Sequence, residues 1–384
     1  MRLISLRFFE HKGTPQEWGI EGLLLGPRTL IVGRNASGKS RTLNVIGALA
    51  RNLAGLIPPG TGTDYECEFL NGTDRYKYEL TTTMDQRVTK ERLTLNGSIK
   101  LDRGNDGAGT IFAEAEGRDV RFQAPQNVLA AVARRDEIQH KFLGPLYLWA
   151  SSLRHVYFGT DLGKSSYAIF MDKSSSVPDD RDPNAVVALF RQALKDFGEP
   201  FKQAVIRDLQ QVDYGVNEVG VAAPVSIRVL NSPGELYGLY VKENDLPGVT
   251  DQNSMSQGMF RVLSLLIYLN YFELKRTGAC ILIDDIGEGL DFDRSCRLVD
   301  LVRNRASTSD VQVVLATNDR FVMNRVPLEE WSVLQRTRNH VRVRNYTNSK
   351  SVFEEFKFTG LSNFSLLQMD IMGESDEAGT NPRA

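Results

Sequence analysis

Three short stretches of this chain combine residue types that do phosphate chemistry. The first, Gly33-Arg34-Asn35-Ala36-Ser37-Gly38-Lys39-Ser40, fits G-x-x-x-x-G-K-[ST]. Its glycines let the backbone curl until successive N–H groups point at one phosphate, and the N-terminus of a following helix adds partial positive charge. Lys39 is then expected to reach the β- and γ-phosphates of a nucleotide, and the Ser40 hydroxyl to ligate Mg²⁺. The second stretch, Cys280-Ile281-Leu282-Ile283-Asp284-Asp285, is an apolar run ending in two carboxylates. Such a run suits a strand buried on both faces of a parallel sheet, and ligands bind at the carboxyl ends of such strands. Asp284 is expected to hold Mg²⁺, directly or through water, and Asp285 to stand where a water-activating carboxylate is needed. The third, Asn253-Ser254-Met255-Ser256-Gln257-Gly258-Met259, precedes the apolar segment FRVLSLLIYLNYF, with Ser254 or Ser256 as its helix N-cap.

These residues need elements to hold them. Strands are predicted over 2–9, 20–25 and 28–33, the last running into Gly33. Thr42, Leu43, Val45, Ile46, Leu49 and Ala50 recur at helical spacing and predict a helix from about Lys39 to Asn52. Residues 64–124 alternate in short segments, with hairpin signals at Asn71-Gly72 and Asn96-Gly97, and predict an antiparallel sheet packed onto the first nucleotide-binding segment. Residues 126–153 read as mostly helical, 172–183 as a loop, 184–211 as helices, and 224–231 and 235–242 as strands. From Gln257 onward helix and strand alternate through CILIDD, VQVVLAT, WSVLQR and HVRVRNY, which argues for an α/β sheet. The last dozen residues are polar and expected to be disordered.

Composition excludes several classes. The 384 residues carry 46 basic and 48 acidic side chains, so the chain does not coat polyanions through net charge. The apolar stretch Val262–Leu269 spans eight residues, far short of the roughly 20 that cross a bilayer. MRLISLRFFEHKG has charges within its apolar stretch and no cleavage pattern, so a cytoplasmic protein is expected. Three scattered cysteines and four scattered histidines have neither disulfide nor zinc spacing.

In motif order the chain resembles an ABC-type ATPase of the SMC/RecF/OLD group. GRNASGKS resembles the group's G-x-N-x-x-G-K-S loop, with Asn35 at the Asn position. Met255–Met259 resembles the LSGGQ signature, and Asp284 through Asp291 (DDIGEGLD) aligns without gaps on DEPTSALD, the Walker B strand end and D-loop. Thr317-Asn318-Asp319 takes the place of the switch-histidine motif, and ISLRFFEHKG resembles the opening strand of RecF-like proteins. The resemblance covers most of the chain; residues 60–250 match only as a variable insertion. It implies an α/β P-loop fold with a mixed β-sheet core, an antiparallel β subdomain and a helical lobe. It divides the chain into a first nucleotide-binding lobe (1–160), an insertion lobe (161–252), a segment with signature, Walker B, D-loop and switch (253–360), and a C-terminal segment (361–384). It also implies ATP and Mg²⁺ as cofactors, held by Gly33, Arg34, Asn35, Ala36, Ser37, Gly38, Lys39, Ser40 and Arg41. Asp291 is expected to bind nucleotide too, and the signature residues Ser256 and Gly258 would complete the site from a second copy, in a head-to-tail dimer or a higher homo-oligomer.

Two positions depart from the group's pattern. Asp285 stands for the water-activating glutamate, one methylene shorter, and Asn318 stands for the switch histidine. Asn318 can hydrogen-bond a γ-phosphate but cannot carry a proton at neutral pH. A carboxylate drawn back by roughly 1.5 Å loses hydrogen-bond reach to the attacking water, and small misplacements are expensive. Glu288, three residues on, is the alternative base. The expectation is slow hydrolysis and a long-lived ATP-bound dimer. The group's Q-loop glutamine is open among Gln123, Gln126 and Gln139.

Arg336, Arg338, His340, Arg342 and Arg344 fall at every second position, so one strand or one hairpin would cluster them. They would contact nucleic acid or an acidic partner, or simply solvate an edge strand; the balanced net charge favours the latter. Among functions, the chain most resembles standalone ATPase subunits of bacterial antiphage defence that act with a separate effector, a nuclease or toxin. The alternatives are a RecF/SMC-like DNA-repair ATPase and an ATP-binding scaffold that does not hydrolyse. A transporter's nucleotide-binding subunit is disfavoured by the β-rich insertion and the substituted switch position.

Overall fold

The computed structural model describes residues 1–170, 178–227, 235–276, 280–308 and 311–369. Apolar residues facing the sheet interior define β1 (Arg2–Glu10), β2 (Trp18–Leu24) and β3 (Arg28–Gly33). Helix α1 (Lys39–Leu53) begins at the motif's own lysine and buries Leu43, Ile46, Leu49 and Leu53 along one stripe. A run of antiparallel strands follows: β4 (Thr63–Asn71), β5 (Asp74–Thr82), β6 (Val88–Leu95), β7 (Ser98–Arg103), β8 (Ala108–Ala113) and β9 (Arg118–Gln123). At the β6–β7 turn Asn96 and Gly97 both take positive φ, 50° and 82°, the backbone twist that a two-residue hairpin needs.

Residues 126–153 are less helical than their composition predicts. They hold only α2 (Ala130–Ala133), a 3₁₀ turn at Lys141–Leu143 and α3 (Gly144–Ser152). Next come β10 (Arg154–Tyr157), β11 (Ala168–Phe170), α4 (Val186–Phe197) and α5 (Glu199–Gln211). Of the strand predicted over 224–231, residues 224–227 form no strand and 228–231 lie outside the described residues; β12 (Val216–Ala222), β13 (Glu235–Glu243) and β14 (Thr250–Asp251) form a small sheet with β11. The rest alternates as expected: α6 (Gln257–Lys275), β15 (Cys280–Asp284), α7 (Phe292–Thr308), β16 (Gln312–Ala316), α8 (Arg320–Arg325), β17 (Trp331–Thr337) and β18 (His340–Asn345). Two helices, α9 (Lys350–Phe358) and α10 (Ser365–Gln368), follow where no element was predicted. Residues 172–177 of the predicted 172–183 loop and the predicted disordered tail lie outside the described residues; 178–182 form no helix or strand, as predicted.

One sheet organises the chain, in the order β10-β15-β16-β3-β17-β18-β2-β1-β4-β5-β6-β7-β8-β9. The antiparallel strands therefore continue the sheet that contains β3 edge to edge, through the β1–β4 pairing, and are not a second layer packed on it. At the other end β10, β15, β16, β3 and β17 run parallel to their neighbours. That shared direction collects the carboxyl ends of β10, β15, β16 and β3 along one edge. Alternating side chains feed two cores. Ile281 and Ile283 enter the core with α4 to α7, while Cys280 and Leu282 enter the core with α1 and α3. Helix α6 is buried nearly throughout, Phe260 to Phe272, and each fully buried leucine in it is worth about 1.5–3 kcal/mol. That burial fixes where its N-terminus, Ser256, is presented.

Candidate nucleotide site

The phosphate loop closes on itself. Ser37 N–H donates to the Arg34 carbonyl at 3.1 Å, and Lys39 Nζ donates to the carbonyls of Gly33 (3.0 Å) and Arg34 (3.3 Å). Gly38 has φ +103°, open to glycine alone, and a β-carbon there would lie 3.2 Å from Trp18. Ser37 and Lys39 are buried, while Arg34, Asn35, Ala36 and Ser40 are exposed. Arg41 turns away from the loop: it bonds Glu10 and stacks 4.4 Å from the Trp18 ring.

The acidic strand end meets this loop. The Ser40 hydroxyl lies against the Asp284 carboxylate, joining two motifs that stand far apart in the sequence. Burial raises the Asp284 pKa; the Ser40 hydroxyl opposes that, and the like charge of Asp285 adds to it. Burial lowers the Lys39 pKa against the pull of Asp285 and Asp284. Asp284 Oδ1 is buried without a hydrogen-bond partner. A hydroxyl and an unsatisfied carboxylate oxygen are hard donors, so Ser40 and Asp284 fit Mg²⁺.

Asp285 sits at the turn after β15 with φ +54°, a left-handed backbone that aspartate tolerates better than longer side chains. Asn318 Nδ2 donates to its Oδ1 at 3.4 Å. On its other side Gly159 follows β10, and a β-carbon on Gly159 would lie 2.9 Å from Asp285 Cβ and 3.0 Å from Oδ2. Glu288, the rival base, is exposed on the turn beyond. Asp291 caps α7, accepting from the Arg294 N–H at 3.0 Å, and also pairs with the Arg294 side chain at 2.8 Å.

In the signature segment Ser256 is the N-cap of α6: its hydroxyl accepts from the Met259 N–H at 3.1 Å, and the residue is exposed. Gly258 is buried, and its missing β-carbon lets the backbone approach Gly289, whose oxygen would otherwise lie 2.8 Å away. The residue that ties this helix to the acidic side, Arg261, escaped the sequence reading. Its guanidinium donates to the carbonyls of Thr160 (2.7 Å), Gly159 (2.8 Å) and Glu288 (2.9 Å). Its signal in the sequence is that it is the lone charge in the apolar run Phe260–Phe272.

Two expectations are corrected. Gln123 and Gln126 bond the Asp106 and Asn105 carbonyls at the far end of the sheet, and the Gln139 N–H donates to Asp136. None of the three stands beside Asp284; the segment that follows β10 there is Phe158-Gly159-Thr160-Asp161. The basic strip is also divided. Hairpin register puts Arg342 opposite Gln335 and Arg344 opposite Val333, but Arg336 opposite Val341, on the sheet face that α1 covers. Arg336 NH1 donates to the Ala36 carbonyl at 3.0 Å, so it belongs to the phosphate loop's surroundings.

Comparison with solved structures agrees with this fold. An SMC head bound to the C-terminal winged-helix domain of ScpA superposes with TM-score 0.53 at 15% identity, covering 91% of this chain and 99% of that one. The fold is that of an ABC-type ATPase head. An Smc head domain from Pyrococcus furiosus, with an extended coiled coil and bound to the C-terminal domain of ScpA, superposes with TM-score 0.50 at 14% identity, covering 93% and 99%. No protein-family model and no curated protein matches the sequence. No described helix is long and apolar enough to cross a membrane.

Proposed function

We propose that this protein is an ATP-dependent switch: it binds ATP with Mg²⁺ at the phosphate loop, pairs head to tail with a second copy, and hydrolyses slowly. One observation carries the reading, the convergence of Lys39, Ser40, Asp284, Asp285 and Asn318 at one edge of a parallel sheet. In this reading Lys39 releases the Gly33 and Arg34 carbonyls and takes the β- and γ-phosphates, whose charge outcompetes two neutral acceptors. Ser40 and Asp284 would hold the metal, which would neutralise phosphate charge. Asp285 orients the attacking water, and Asn318, its hydrogen-bond partner, donates toward the γ-phosphate. Ser256, exposed at the N-terminus of α6, serves the nucleotide of the second copy, where a hydroxyl and a helix N-terminus suit a γ-phosphate. Loss of that phosphate on hydrolysis removes the contact and releases the pair.

The wider role rests on resemblance: an ATPase subunit of antiphage defence acting with a separate nuclease or toxin. The RecF/SMC-like repair role is the second reading, favoured by the likeness to SMC heads. The test is light scattering of the full chain with Mg·ATP in the Asp285→Asn variant. A dimer that forms with ATP and is lost in Ser256→Arg supports the switch; a monomer under all conditions overturns it.

A further inference from the structure

We propose that Arg336 is a positioning residue for nucleotide binding, which holds the phosphate loop in its receiving shape from a strand 300 residues away. The proposal rests on the reading of this loop as a nucleotide site. Ala36 lies in the middle of the loop with φ +62°, a left-handed backbone that a β-carbon disfavours. The Ser37 N–H bond to the Arg34 carbonyl closes the turn from inside, and the Arg336 guanidinium holds it from outside, donating NH1 to the Ala36 carbonyl at 3.0 Å. Its Nε donates to the Arg338 carbonyl at 2.7 Å, so two edges of the planar fork are engaged and its direction is fixed.

The hairpin that carries Arg336 is itself anchored. Gly19 N–H donates to the Asn339 carbonyl at 3.0 Å, and His340 meets Glu17 at 2.9 Å. Between these two anchors lies Trp18, the residue on which Gly38 packs. Hairpin tip, start of β2 and phosphate loop thus brace one another.

The chemistry follows from the direction of the peptide dipole. A loop that cradles phosphate must turn N–H groups inward and carbonyls outward. The Ala36–Ser37 peptide is held at both ends, its N–H on the Arg34 carbonyl and its own carbonyl on Arg336; released from Arg336, its oxygen is free to turn toward the phosphates and repel them. Arg336 holds that carbonyl outward and adds a positive charge beside the phosphates. Both effects act on the bound phosphates in ground state and transition state alike, so the signature is weaker binding at unchanged turnover.

Titration calorimetry of the full chain with Mg·ATP and Mg·ADP, and steady-state hydrolysis, test this on wild type, Arg336→Ala and Arg336→Lys. Arg336→Ala is expected to weaken both nucleotides about tenfold and to raise KM by the same factor, with kcat within about twofold. Arg336→Lys keeps the charge but cannot serve two carbonyls in one plane, so it recovers only part of the loss, about threefold. Wild-type affinity in Arg336→Ala overturns the proposal, as does a fall in kcat at unchanged KM. Full recovery in Arg336→Lys overturns the brace in favour of charge alone. If Arg336→Ala does not fold, Arg336→Lys decides, and wild-type affinity there is the negative result. A wild-type chain that binds no Mg·ATP overturns the nucleotide reading itself, an outcome distinct from wild-type binding with an indifferent Arg336→Ala.

Discussion

The phosphate loop and the acidic strand end meet at Ser40 and Asp284, but they are assembled over different lengths of chain. On the phosphate side Lys39 bonds Gly33 and Arg34, and Ser37 bonds Arg34, all within six residues. On the acidic side Asp285 meets Asn318 across 33 residues, and Arg261 reaches Gly159 across 102. A loop closed mainly by bonds within itself leans on few distant contacts, the Arg336 bond to Ala36 among them; a site gathered from four segments depends on every one of them. The phosphate side should therefore govern binding, and the acidic side should govern turnover.

The largest expected break is Lys39→Ala. It removes the one buried cation of the loop and with it the charge-assisted hydrogen bonds to two phosphates. Mg·ATP affinity should fall about 10³-fold in calorimetry, and turnover should vanish alongside. Next comes Asp285→Asn, which keeps shape and removes the base. Its kcat should drop about 10²-fold or more while nucleotide Kd stays within about threefold. Asp285→Glu is expected to lower turnover as well, because the left-handed backbone and the packing of Gly159 leave no room for another methylene. Glu288→Gln should stay near wild type; an inactive Glu288→Gln beside an active Asp285→Asn would move the base to Glu288.

Gly159→Ala probes the same side by sterics alone. The new methyl would meet Asp285 at 2.9 Å, and the resulting displacement should cost about tenfold in kcat with binding intact. Weakened binding with normal turnover would show that the two sides are not separable in this way.

The smallest effect on the site concerns the seam between the halves. His155 of β10 stacks on Tyr157 at 4.0 Å, and its Nδ1 would lie 3.4 Å from a β-carbon on Gly47 of α1. Burial, aided by the Arg51 charge, lowers its pKa from 6.5 to about 4. A depressed histidine is neutral in the fold, so between pH 6.5 and about 4 the unfolded chain binds the extra proton. Stability therefore falls as pH drops through this window, by at most about 3 kcal/mol, and levels off below it. Urea unfolding of wild type and His155→Gln between pH 7.5 and 4.5 should show a shallower slope in the variant, with Mg·ATP affinity at pH 7.5 unchanged; equal slopes would remove His155 from the seam.

Much of the phosphate side was legible in the sequence. G-x-x-x-x-G-K-S sets its own backbone, and the helical period of Leu43, Ile46 and Leu49 placed α1 to within a residue of its end. The apolar run before Asp284 and a serine cap at 254 or 256 were legible for the same reason: caps, periods and turn residues act over a few positions. Sheet order was not. Whether the antiparallel strands stack on the first sheet or extend it depends on the β1–β4 pairing, and alternation reads the same in either case. Nor could spacing assign Arg336 to the α1 face, because one residue of hairpin register decides which face a side chain takes. The Gly159 and Thr160 partners of Arg261 and the packing of Gly159 on Asp285 join segments more than 100 residues apart. The sequence by itself determined the local chemistry, because short-range sterics and hydrogen bonds suffice for it. Which distant segments surround that chemistry was decided only by the tertiary structure, through the burial of both faces of one continuous sheet.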